Sequence, residues 1–351
     1  MASTRRAWVV DNQTEVLSGL VLKDLPLPES IGQNEVLVEI KAASINYRDV
    51  VMVKGSLNIP TAPSVIPGSD GAGVVLQVGS SVKALAQGDA VVTHLVPEDF
   101  PSEELYALDD DTLPLMAHIT AGLGGALNGT LTTHAILPAS CLVKFDNRAL
   151  SFEEAATLSC SGITAWNALM GLPGRQVKKD DWVLVQGSGG VSVAALQFAV
   201  AVGANVVATT GSTGEKEKRL RQLGAKHVIN YRATPEWGTE ARKLTPDGRG
   251  FDVIVDVGGH STLSQTMKAN KVDGLVVLAG MLGQSDDSVP LMSILMNPCT
   301  TRGIILGTRN MMRDMIKMAT DTQSFTLDGL KDALARMEAH KHFAKVIVQI
   351  G

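Results

Sequence analysis

A glycine-rich stretch at residues 187–192 has the composition and spacing of a turn that binds phosphate. Between an apolar run at 182–186 and an apolar segment of helical periodicity lie Gly187, Ser188, Gly189, Gly190, Val191 and Ser192. Glycine lets the backbone turn tightly and approach a ligand closely, and the first N–H groups of a helix attract an anion. A strand before and a helix after this pattern are typical of a dinucleotide site. We therefore expect residues 187–191 to contact a pyrophosphate.

The end of the next apolar run indicates which dinucleotide is bound. Sites for NAD place an Asp or Glu there, on the ribose hydroxyls. This chain has Thr-Thr-Gly-Ser-Thr at 209–213 and no acid. The hydroxyl of Ser212, the ammonium of Lys216 and the phenol of Tyr231 can donate to a 2′-phosphate, although Lys216 can equally be a solvated helix residue. We expect NADP(H), with Glu215 pointing away from the site.

The elements that must position this turn are visible from residue 182 onward. Apolar, β-branched runs lie at 182–186, 205–210, 226–230, 251–256, 275–279 and 304–307, and helical stretches separate most of them. Strands of this kind alternating with helices are typical of a parallel sheet covered on both faces. Six such strands complete a doubly wound, Rossmann-type unit. The fold class is therefore predicted to be α/β.

The first 145 residues have a different pattern. Short apolar runs at 36–40, 73–78, 90–92 and 132–137 are separated by Gly and Pro, which predicts an all-β domain. An acidic stretch between His94 and His118 is expected to be a solvated loop. The chain closes with a helix at 326–338 and a strand at 344–350 that can return to the first domain. We place the domains at 1–145 and 146–320, with 321–351 as the tail.

Composition and charge exclude several classes of function. The formal net charge of -5 offers no surface for nucleic acid or an anionic membrane. No window reaches the roughly 18 uninterrupted apolar residues of a membrane span, and the N-terminus has no apolar signal region. Three cysteines without CxxC spacing fit a reducing compartment. We expect a cytoplasmic protein that acts on a small molecule.

An ordered set of further motifs gives the chain a resemblance to a known family. The motifs are Ser44-Ile-Asn46-Tyr47-Arg48-Asp49, Pro67-Gly68-Ser69-Asp70, Cys160-Ser-Gly162-Ile-Thr164-Ala-Trp166, Val257-Gly258-Gly259 and His342-Phe343-Ala344-Lys345-Val346. With them the chain resembles the medium-chain dehydrogenase/reductase superfamily over nearly its whole length. The match is to the zinc-free, quinone-oxidoreductase-like branch, close to the zinc-type alcohol dehydrogenase-like proteins.

This resemblance implies an architecture and an assembly. A GroES-like β-barrel domain would be formed by the N-terminal residues and the tail, with the Rossmann domain inserted between them. The active site would lie in the cleft between the two domains. A homodimer would form by pairing of the sixth strand at 303–308, because an apolar edge strand needs cover.

The resemblance also implies further contacts with the cofactor. Thr164 would approach the nicotinamide. The backbone at Gly258, Ala279 and Gly280 would line the ribose and the ring, because small residues permit close approach there. Phe343 and Lys345 would reach the cofactor from the returning tail.

No metal is expected. Zinc relatives take catalytic ligands from the positions that are Asn46, Ser69 and, in some of them, Cys160 here. Asn and Ser are poor zinc ligands, and one thiol cannot hold an ion that needs three protein ligands. Residues 94–131 contain no cysteine, so a structural zinc lobe is missing as well. We interpret Cys160 as a buried free thiol.

Without a Lewis acid, hydrogen-bond donors must stabilise the charge that hydride transfer places on a substrate oxygen. Asn46 and Tyr47 lie where the metal-binding loop would be and are the candidate catalytic residues. Tyr47 has two possible roles, which are to protonate the product or to pack against the substrate as part of the pocket wall. Asn46 has the alternative role of stabilising the structure of its own loop without taking part in the reaction. Arg48 and Asp49 are expected to pair or cap locally.

The leading hypothesis for function is NADPH-dependent reduction of an activated C=C or C=O bond, as in an enone, a quinone or an enoyl compound. A second enzymatic hypothesis is alcohol dehydrogenation or carbonyl reduction, a reaction that is harder to catalyse without a Lewis acid. The alternative outside enzymes is a sensor protein that binds NADPH and has little turnover.

Overall fold

The computed structural model describes residues 4–13, 18–55, 61–100, 105–212, 214–280, 292–319, 323–326 and 343–350. The strands are β1 (Thr4–Val10), β2 (Leu20–Pro26), β3 (Glu35–Ile45), β4 (Asp70–Val78), β5 (Ala90–Thr93), β6 (His134–Pro138), β7 (Leu142–Lys144), β8 (Trp182–Gln186), β9 (Asn205–Thr210), β10 (His227–Asn230), β11 (Phe251–Asp256), β12 (Asn270–Leu278), β13 (Cys299–Gly303), β14 (Gln323–Thr326) and β15 (Val346–Gln349). The helices are α1 (Tyr47–Lys54), α2 (Met116–Ala121), α3 (Phe152–Ala156), α4 (Ile163–Met170), α5 (Gly190–Val202), α6 (Glu215–Gln222), α7 (Trp237–Lys243), α8 (Leu263–Ala269), α9 (Met292–Met296) and α10 (Arg309–Ile316).

The chain divides into two compact units, one made of 1–163 and 308–351 and the other of 164–307. These limits differ from the domain limits expected from the sequence. The segment that contains α3 joins the first unit because the hydroxyl of Ser44 in β3 donates to the carbonyl of Ala156 at 3.0 Å. Helix α10 joins the first unit because an acidic loop binds it, as described below.

Within the described residues, the second unit contains a six-stranded parallel sheet in the order β10-β9-β8-β11-β12-β13. All five residues of β8 are buried, as a strand at the centre of such a sheet requires. Helices α5 to α8 lie between successive strands along the chain. The order reverses between β8 and β11, which is the point where an open α/β sheet leaves a crevice for ligands. The predicted doubly wound sheet is confirmed.

The sixth strand is earlier than predicted. β13 pairs with β12 from Cys299 to Gly303, and residues 304–307 are not a strand. The polar composition of β13 hid it from a search for apolar runs. The apolar residues that follow it serve another purpose, since Leu306 is buried and its carbonyl accepts a hydrogen bond from the Asn167 amide. The prediction of a strand at 304–307 was wrong.

The first unit is built on β-sheet, as its turn-rich sequence predicted. Its described strands follow the order β14-β15-β3-β4-β5-β7, with β6 also paired to β3, and β1 and β2 form a separate antiparallel pair. β15 runs antiparallel to β3 with Val346 opposite Ile45. The tail strand therefore returns to the first unit. The helix expected at 326–338 lies outside the described residues, apart from Thr326 at the end of β14.

The acidic loop before α2 is more than the solvated connector that the sequence suggested. Asp110 accepts hydrogen bonds from Arg309 Nε at 2.8 Å and from an Arg313 guanidinium nitrogen at 2.7 Å. The Arg309 side chain is almost fully buried and also donates to the carbonyl of Leu108. These bonds join the loop to α10. No helix among the described residues is long and apolar enough to cross a membrane.

We predict that Asp110→Asn lowers the free energy of unfolding by about 1–3 kcal/mol, because it leaves the buried Arg309 guanidinium without its carboxylate. Urea unfolding at pH 7 measures this. Asp111→Asn is the matched control, since Asp111 accepts a bond from the neutral Asn310 amide at the surface. Its effect should stay below about 0.5 kcal/mol. Equal effects of the two substitutions would contradict the role assigned to Asp110.

Candidate active site

The predicted dinucleotide turn follows β8 directly. Gly187 has φ +81°, a left-handed conformation that favours glycine, and its N–H donates to the carbonyl of Thr209 at 2.9 Å. A Cβ atom built at Gly187 or Gly189 would meet nothing within 4 Å, so the space above the turn is open. Helix α5 begins at Gly190, and no side chain in the described part of the protein caps it. The first N–H groups of a helix have no partner within the helix and attract anions, so this end of α5 is a candidate site for the phosphates of a dinucleotide.

The strand and the helix on either side of the turn are joined by a hydroxyl. Ser192 is buried, and its Oγ donates to the backbone carbonyl of Gln186 at the end of β8. A Gly or Ala at this position, as in the usual pattern, packs without such a bond. Ser192 thus fixes the entry of α5 onto β8.

The ends of the parallel strands bring the other predicted cofactor residues of the second unit to the same edge. Ser212 follows β9, Tyr231 follows β10 and Gly258 follows β11, while Ala279 and Gly280 follow β12. Because all these strands are parallel, their carboxyl ends share one edge of the sheet with the glycine turn.

Lys216 and Glu215 lie in the first turn of α6. Glu215 is paired along the helix with Arg219 at 3.1 Å and its side chain is well exposed. Its carboxylate is thus bound to a cation of its own helix, and its orientation away from the cofactor stays a prediction.

The end of β9 is covered by two residues that follow β10. A Cβ at Gly211 would lie 2.5 Å from the Tyr231 hydroxyl and 3.1 Å from Arg232 Nε, so a larger residue there would displace the ends of these two side chains. Arg232 is exposed. The sequence reading missed this cation, because only the pairing of β10 with β9 sets Asn230 beside Thr210 and so brings Arg232 to this point.

The hydroxyls of the two threonines that end β9 are used inside the protein. Thr209 Oγ1 accepts a bond from the Gly187 N–H at 3.3 Å, and Thr210 Oγ1 accepts one from the Ser212 N–H at 3.2 Å. Both threonines are buried. Of the hydroxyl residues described here at 209–212, Ser212 is partly exposed and stays accessible.

Asp256, at the end of β11, organises the turn that contains Gly258. Its carboxylate is fully buried and accepts the backbone N–H groups of Gly258 at 3.1 Å and Gly259 at 2.8 Å. It also accepts hydrogen bonds from the side chains of Gln186, Thr262 and Thr266. The N–H of Gly258 is thus used within the protein. The sequence signal that was overlooked is an acidic residue, Asp256, at the end of a buried strand and shortly before Gly258 and Gly259.

Two other predicted residues of this unit are held tightly. A Cβ at Gly280 would lie 2.8 Å from the carbonyl oxygen of Val257, which explains the glycine. Thr164 is buried, and its hydroxyl donates to the carbonyl of Ile305 at 3.4 Å.

A buried polar cluster lies in the first unit, where β15, β3 and β4 run side by side. The pairing of Val346 with Ile45 sets Lys345 beside Asn46, and Asp70 begins the neighbouring strand. Lys345 Nζ donates to Asn46 Oδ1 at 2.6 Å and to Asp70 Oδ2 at 3.0 Å. The side chains of Lys345 and Asp70 are 5% and 0% exposed. An ion pair this deep needs every oxygen and N–H well placed to offset the loss of hydration.

Serine hydroxyls complete this cluster. Ser44 and Ser69 donate to the carboxylate of Asp70 at 2.9 Å and 2.7 Å. Ser161 donates to Asn46 Oδ1 at 3.3 Å. Since both donors to Asn46 reach its oxygen, its amide nitrogen faces the other way. Among the described residues, that buried Nδ2 has no hydrogen-bond partner.

The residues after Asn46 hold the start of α1. Asp49 accepts the Asn46 backbone N–H at 2.7 Å, and burial raises the pKa of its carboxyl to about 6 although the Arg48 guanidinium lies 3.9 Å away. Arg48 donates to the carbonyls of Ile119 and Leu123 at 2.7 Å and 3.0 Å. Both residues pair locally, as the sequence indicated. Tyr47, between them and Asn46, is 43% exposed.

Comparisons with known proteins agree with this architecture. The alcohol dehydrogenase GroES-like domain matches residues 32–147, and the zinc-binding dehydrogenase domain matches 190–321. A zinc-type alcohol dehydrogenase-like protein of Schizosaccharomyces pombe is 38% identical over 98% of this chain and 99% of its own. An alcohol dehydrogenase of Geobacillus stearothermophilus is 27% identical over 96% of this chain and 97% of its own. A crystal structure titled NAD-dependent alcohol dehydrogenase is 30% identical with a TM-score of 0.84, covering 99% of this chain and 100% of that one.

The chain belongs to the zinc-type alcohol dehydrogenase-like family of the medium-chain dehydrogenase/reductase superfamily. It is therefore an oxidoreductase of a nicotinamide-dependent family. The GroES-like first domain and the Rossmann second domain that the sequence predicted are confirmed.

The residues of this zinc-type alcohol dehydrogenase-like protein do not fit the metal in the family's name. Asn46 Oδ1 faces the Lys345 ammonium, and the hydroxyl of Ser69 is bound to Asp70. Burial raises the pKa of the Cys160 thiol to about 12, and one thiol by itself does not supply the three protein ligands that a catalytic zinc needs. Across the described ranges, no three His, Cys, Asp or Glu side chains form a group able to hold a metal.

The two tail residues expected at the cofactor lie in the first unit. Phe343 is half-buried just before β15. Lys345 was expected to reach the cofactor, and the bonds of its ammonium here go to Asn46 and Asp70. The sequence could not show this, because Lys345 and Asn46 are almost 300 residues apart and the β15–β3 register alone brings them together.

The raised pKa of Asp49 predicts a pH-dependent stability. Between about pH 4 and pH 6 the folded protein binds a proton that the unfolded chain has lost, so the contribution of Asp49 is largest at low pH and is lost as pH rises through 6. In urea unfolding, the stability of the wild type relative to Asp49→Asn should fall by about 2 kcal/mol from pH 4.5 to 7.5.

The control for this series is Asp146→Asn. The Arg148 guanidinium lowers the pKa of Asp146 to about 2, so the contribution of Asp146 is constant above pH 4.5. A stability difference for Asp49→Asn that does not change with pH would contradict the raised pKa.

Proposed function

We propose that this protein is an NADPH-dependent, zinc-independent reductase that transfers hydride to an activated C=C or C=O bond of a small molecule, such as an enone or a quinone. One observation carries the proposal, which is the buried and unpartnered amide N–H group of Asn46. Such a buried donor costs about 1–3 kcal/mol and calls for an explanation. A ligand oxygen that accepts this hydrogen bond supplies one.

The chemistry fits the donor. A hydride added to a carbonyl carbon or to a conjugated alkene leaves negative charge on the substrate oxygen. A donor that is already oriented stabilises this charge without reorganisation. Asn46 is oriented in this way, because Lys345 and Ser161 hold its Oδ1.

A proton must follow the hydride. Tyr47 follows Asn46 in the chain at the first position of α1, and its side chain is partly exposed. Its phenol is our candidate proton donor, and a wall against the substrate is the other role it can have. If a Tyr47→Phe variant keeps full turnover, Tyr47 packs against the substrate and is not the proton donor.

The preference for NADPH is supported by the surroundings of Gly211. Ser212, Lys216 and Tyr231 remain the candidate ligands of a 2′-phosphate, and the exposed guanidinium of Arg232 joins them. The nearby acid, Glu215, is paired with Arg219. The positive charges at this edge favour the phosphorylated cofactor.

Alcohol dehydrogenation is the second candidate, because an alcohol dehydrogenase of Geobacillus stearothermophilus is 27% identical to this chain. Hydride transfer is reversible, but oxidation of an alcohol needs its hydroxyl to lose a proton first. A donor such as Asn46 Nδ2 stabilises the negative oxygen in both directions, so alcohol oxidation additionally requires a base that removes the hydroxyl proton. A low-turnover NADPH sensor would bind the cofactor without oxidising it. A panel of enones, quinones, aldehydes and alcohols separates the three.

A homodimer through β13 is part of the proposal. Among the described strands, β13 lies at an edge of its sheet. Three apolar residues of the preceding α9, Met292, Leu295 and Met296, are 62%, 66% and 78% exposed. An open edge beside exposed apolar side chains fits a second copy of the chain. We also propose a cytoplasmic location, where NADPH and reduced thiols prevail.

We predict that Asn46→Ala lowers kcat for NADPH oxidation by an enone about 100-fold, since one donor to a developing oxyanion is lost. The Kd of NADPH should not change. Asn34→Ala, on an exposed turn, is the matched control and should keep wild-type kcat. Unchanged turnover in Asn46→Ala would end the mechanistic proposal, and no turnover of any panel compound by the wild type would favour the sensor.

Arg232→Ala should raise the Kd of NADPH about 10- to 100-fold and leave that of NADH unchanged, because one charge-assisted bond to the 2′-phosphate disappears. Cofactor fluorescence measures both constants. Arg221→Ala removes a cation that is paired with Glu217 on α6 and serves as control. If wild type binds NADPH and NADH equally well, the cofactor assignment is wrong.

A further inference from the structure

We infer that Lys345 is a positioning residue for hydride transfer: its ammonium fixes the amide of Asn46 so that the N–H group, and not the carbonyl oxygen, is available to the substrate. The inference rests on the proposed function, since it requires Asn46 to act as the donor. It also assigns to a side chain of this protein the positive charge that a metal ion supplies in zinc relatives.

The first step concerns the two ends of the amide. The oxygen and nitrogen of an Asn side chain are alike in size, and the hydrogen bonds around them decide which way it points. Ser161 alone cannot decide, because a hydroxyl can donate to the oxygen or accept from the nitrogen. An ammonium has donors and no acceptor. With Lys345 Nζ at 2.6 Å, the adjacent amide atom must be the oxygen.

The second step concerns the opposite orientation. If Asn46 were turned over, its Oδ1 would occupy the place of the unpartnered Nδ2. An oxygen there would repel the negative charge that develops on a substrate oxygen. Lys345 therefore determines whether Asn46 stabilises the reaction or opposes it.

The third step concerns the strength of the Asn46 N–H group as a hydrogen-bond donor. A hydrogen bond from a cation to the amide oxygen draws electron density away from the amide nitrogen and makes its N–H a better donor. Linked hydrogen bonds strengthen one another by perhaps 10–30% in a medium of low polarity. The cluster is such a medium, since Lys345, Asn46 and Asp70 are all buried.

The backbone is arranged to deliver this lysine. Ala344, directly before Lys345, has φ +54°, a left-handed conformation that is unfavourable for a residue with a Cβ atom. The next residue, Val346, opens β15 opposite Ile45. The carboxylate of Asp70, held by Ser44 and Ser69, balances the buried charge. A merely solvated lysine would need neither the strained turn nor the buried partner.

The test uses the full-length protein and compares Asn46→Ala, Lys345→Met and the double variant. Each is measured for the single-turnover rate of NADPH oxidation by an enone and for the Kd of NADPH. We expect Lys345→Met to lower the rate about 100-fold, as Asn46→Ala does, with an unchanged Kd. The double variant should be no slower than the slower single variant, because both substitutions remove one function.

The outcomes separate the possible failures. If the rate of the double variant falls by the product of the two single fold-changes, Lys345 acts independently of Asn46 and the inference is wrong. A weaker Kd for NADPH with an unchanged rate would make Lys345 a cofactor ligand and also overturn it. If Asn46→Ala itself has no effect, the proposed function fails first.

A folding defect is handled by a second variant. Lys345→Met leaves the Asp70 carboxylate buried without a partner, which is strongly destabilising. Lys345→Met with Asp70→Asn removes both charges and should restore thermal stability without restoring the rate. Recovery of the rate in this variant would show that Lys345 serves the fold alone, and the inference would be withdrawn.

Discussion

The hydrogen bond from the Lys345 ammonium to the amide oxygen of Asn46 is the interaction on which the candidate site depends. It joins the last strand of the chain to the end of β3, and Asp70 in β4 provides the balancing charge. Burying an ammonium and a carboxylate is costly, and here three serine hydroxyls satisfy the remaining acceptors of the cluster. The arrangement needs all three strands in register, so the return of the tail to the first unit is a requirement of the site and not only of the fold.

The dinucleotide edge follows a different physical rule. Its parts come from consecutive strands whose carboxyl ends meet because the strands are parallel, and the glycine turn marks the strand next to the reversal of strand order. Small details then decide which groups remain for a ligand. Thr209, Thr210 and Asp256 use their oxygens to hold the turns, which leaves the helix N–H groups, Ser212 and the Arg232 guanidinium beside Gly211 as candidate ligands.

At two places in the first unit a buried basic side chain faces an aspartate. Lys345 faces Asp70, and Arg309 faces Asp110. A fixed side-chain cation holds the surrounding backbone and supplies positive charge, but it offers no open coordination position to a substrate. Under the proposed zinc-independent function, chemistry in such a site passes through hydrogen bonds, and the orientation of the Asn46 amide then becomes important.

The sequence by itself determined what short-range patterns can encode. The glycine turn, the strand-helix alternation and the return of a tail strand all follow from local composition and spacing. The strand at 304–307 was misplaced because the edge strand β13 is polar and the apolar residues after it are used for packing. The partners of Lys345, the role of Arg309 and the position of Arg232 were decided only by the tertiary structure. Each depends on strand register or on a contact between distant segments, and no local pattern specifies which side chains such pairings bring together.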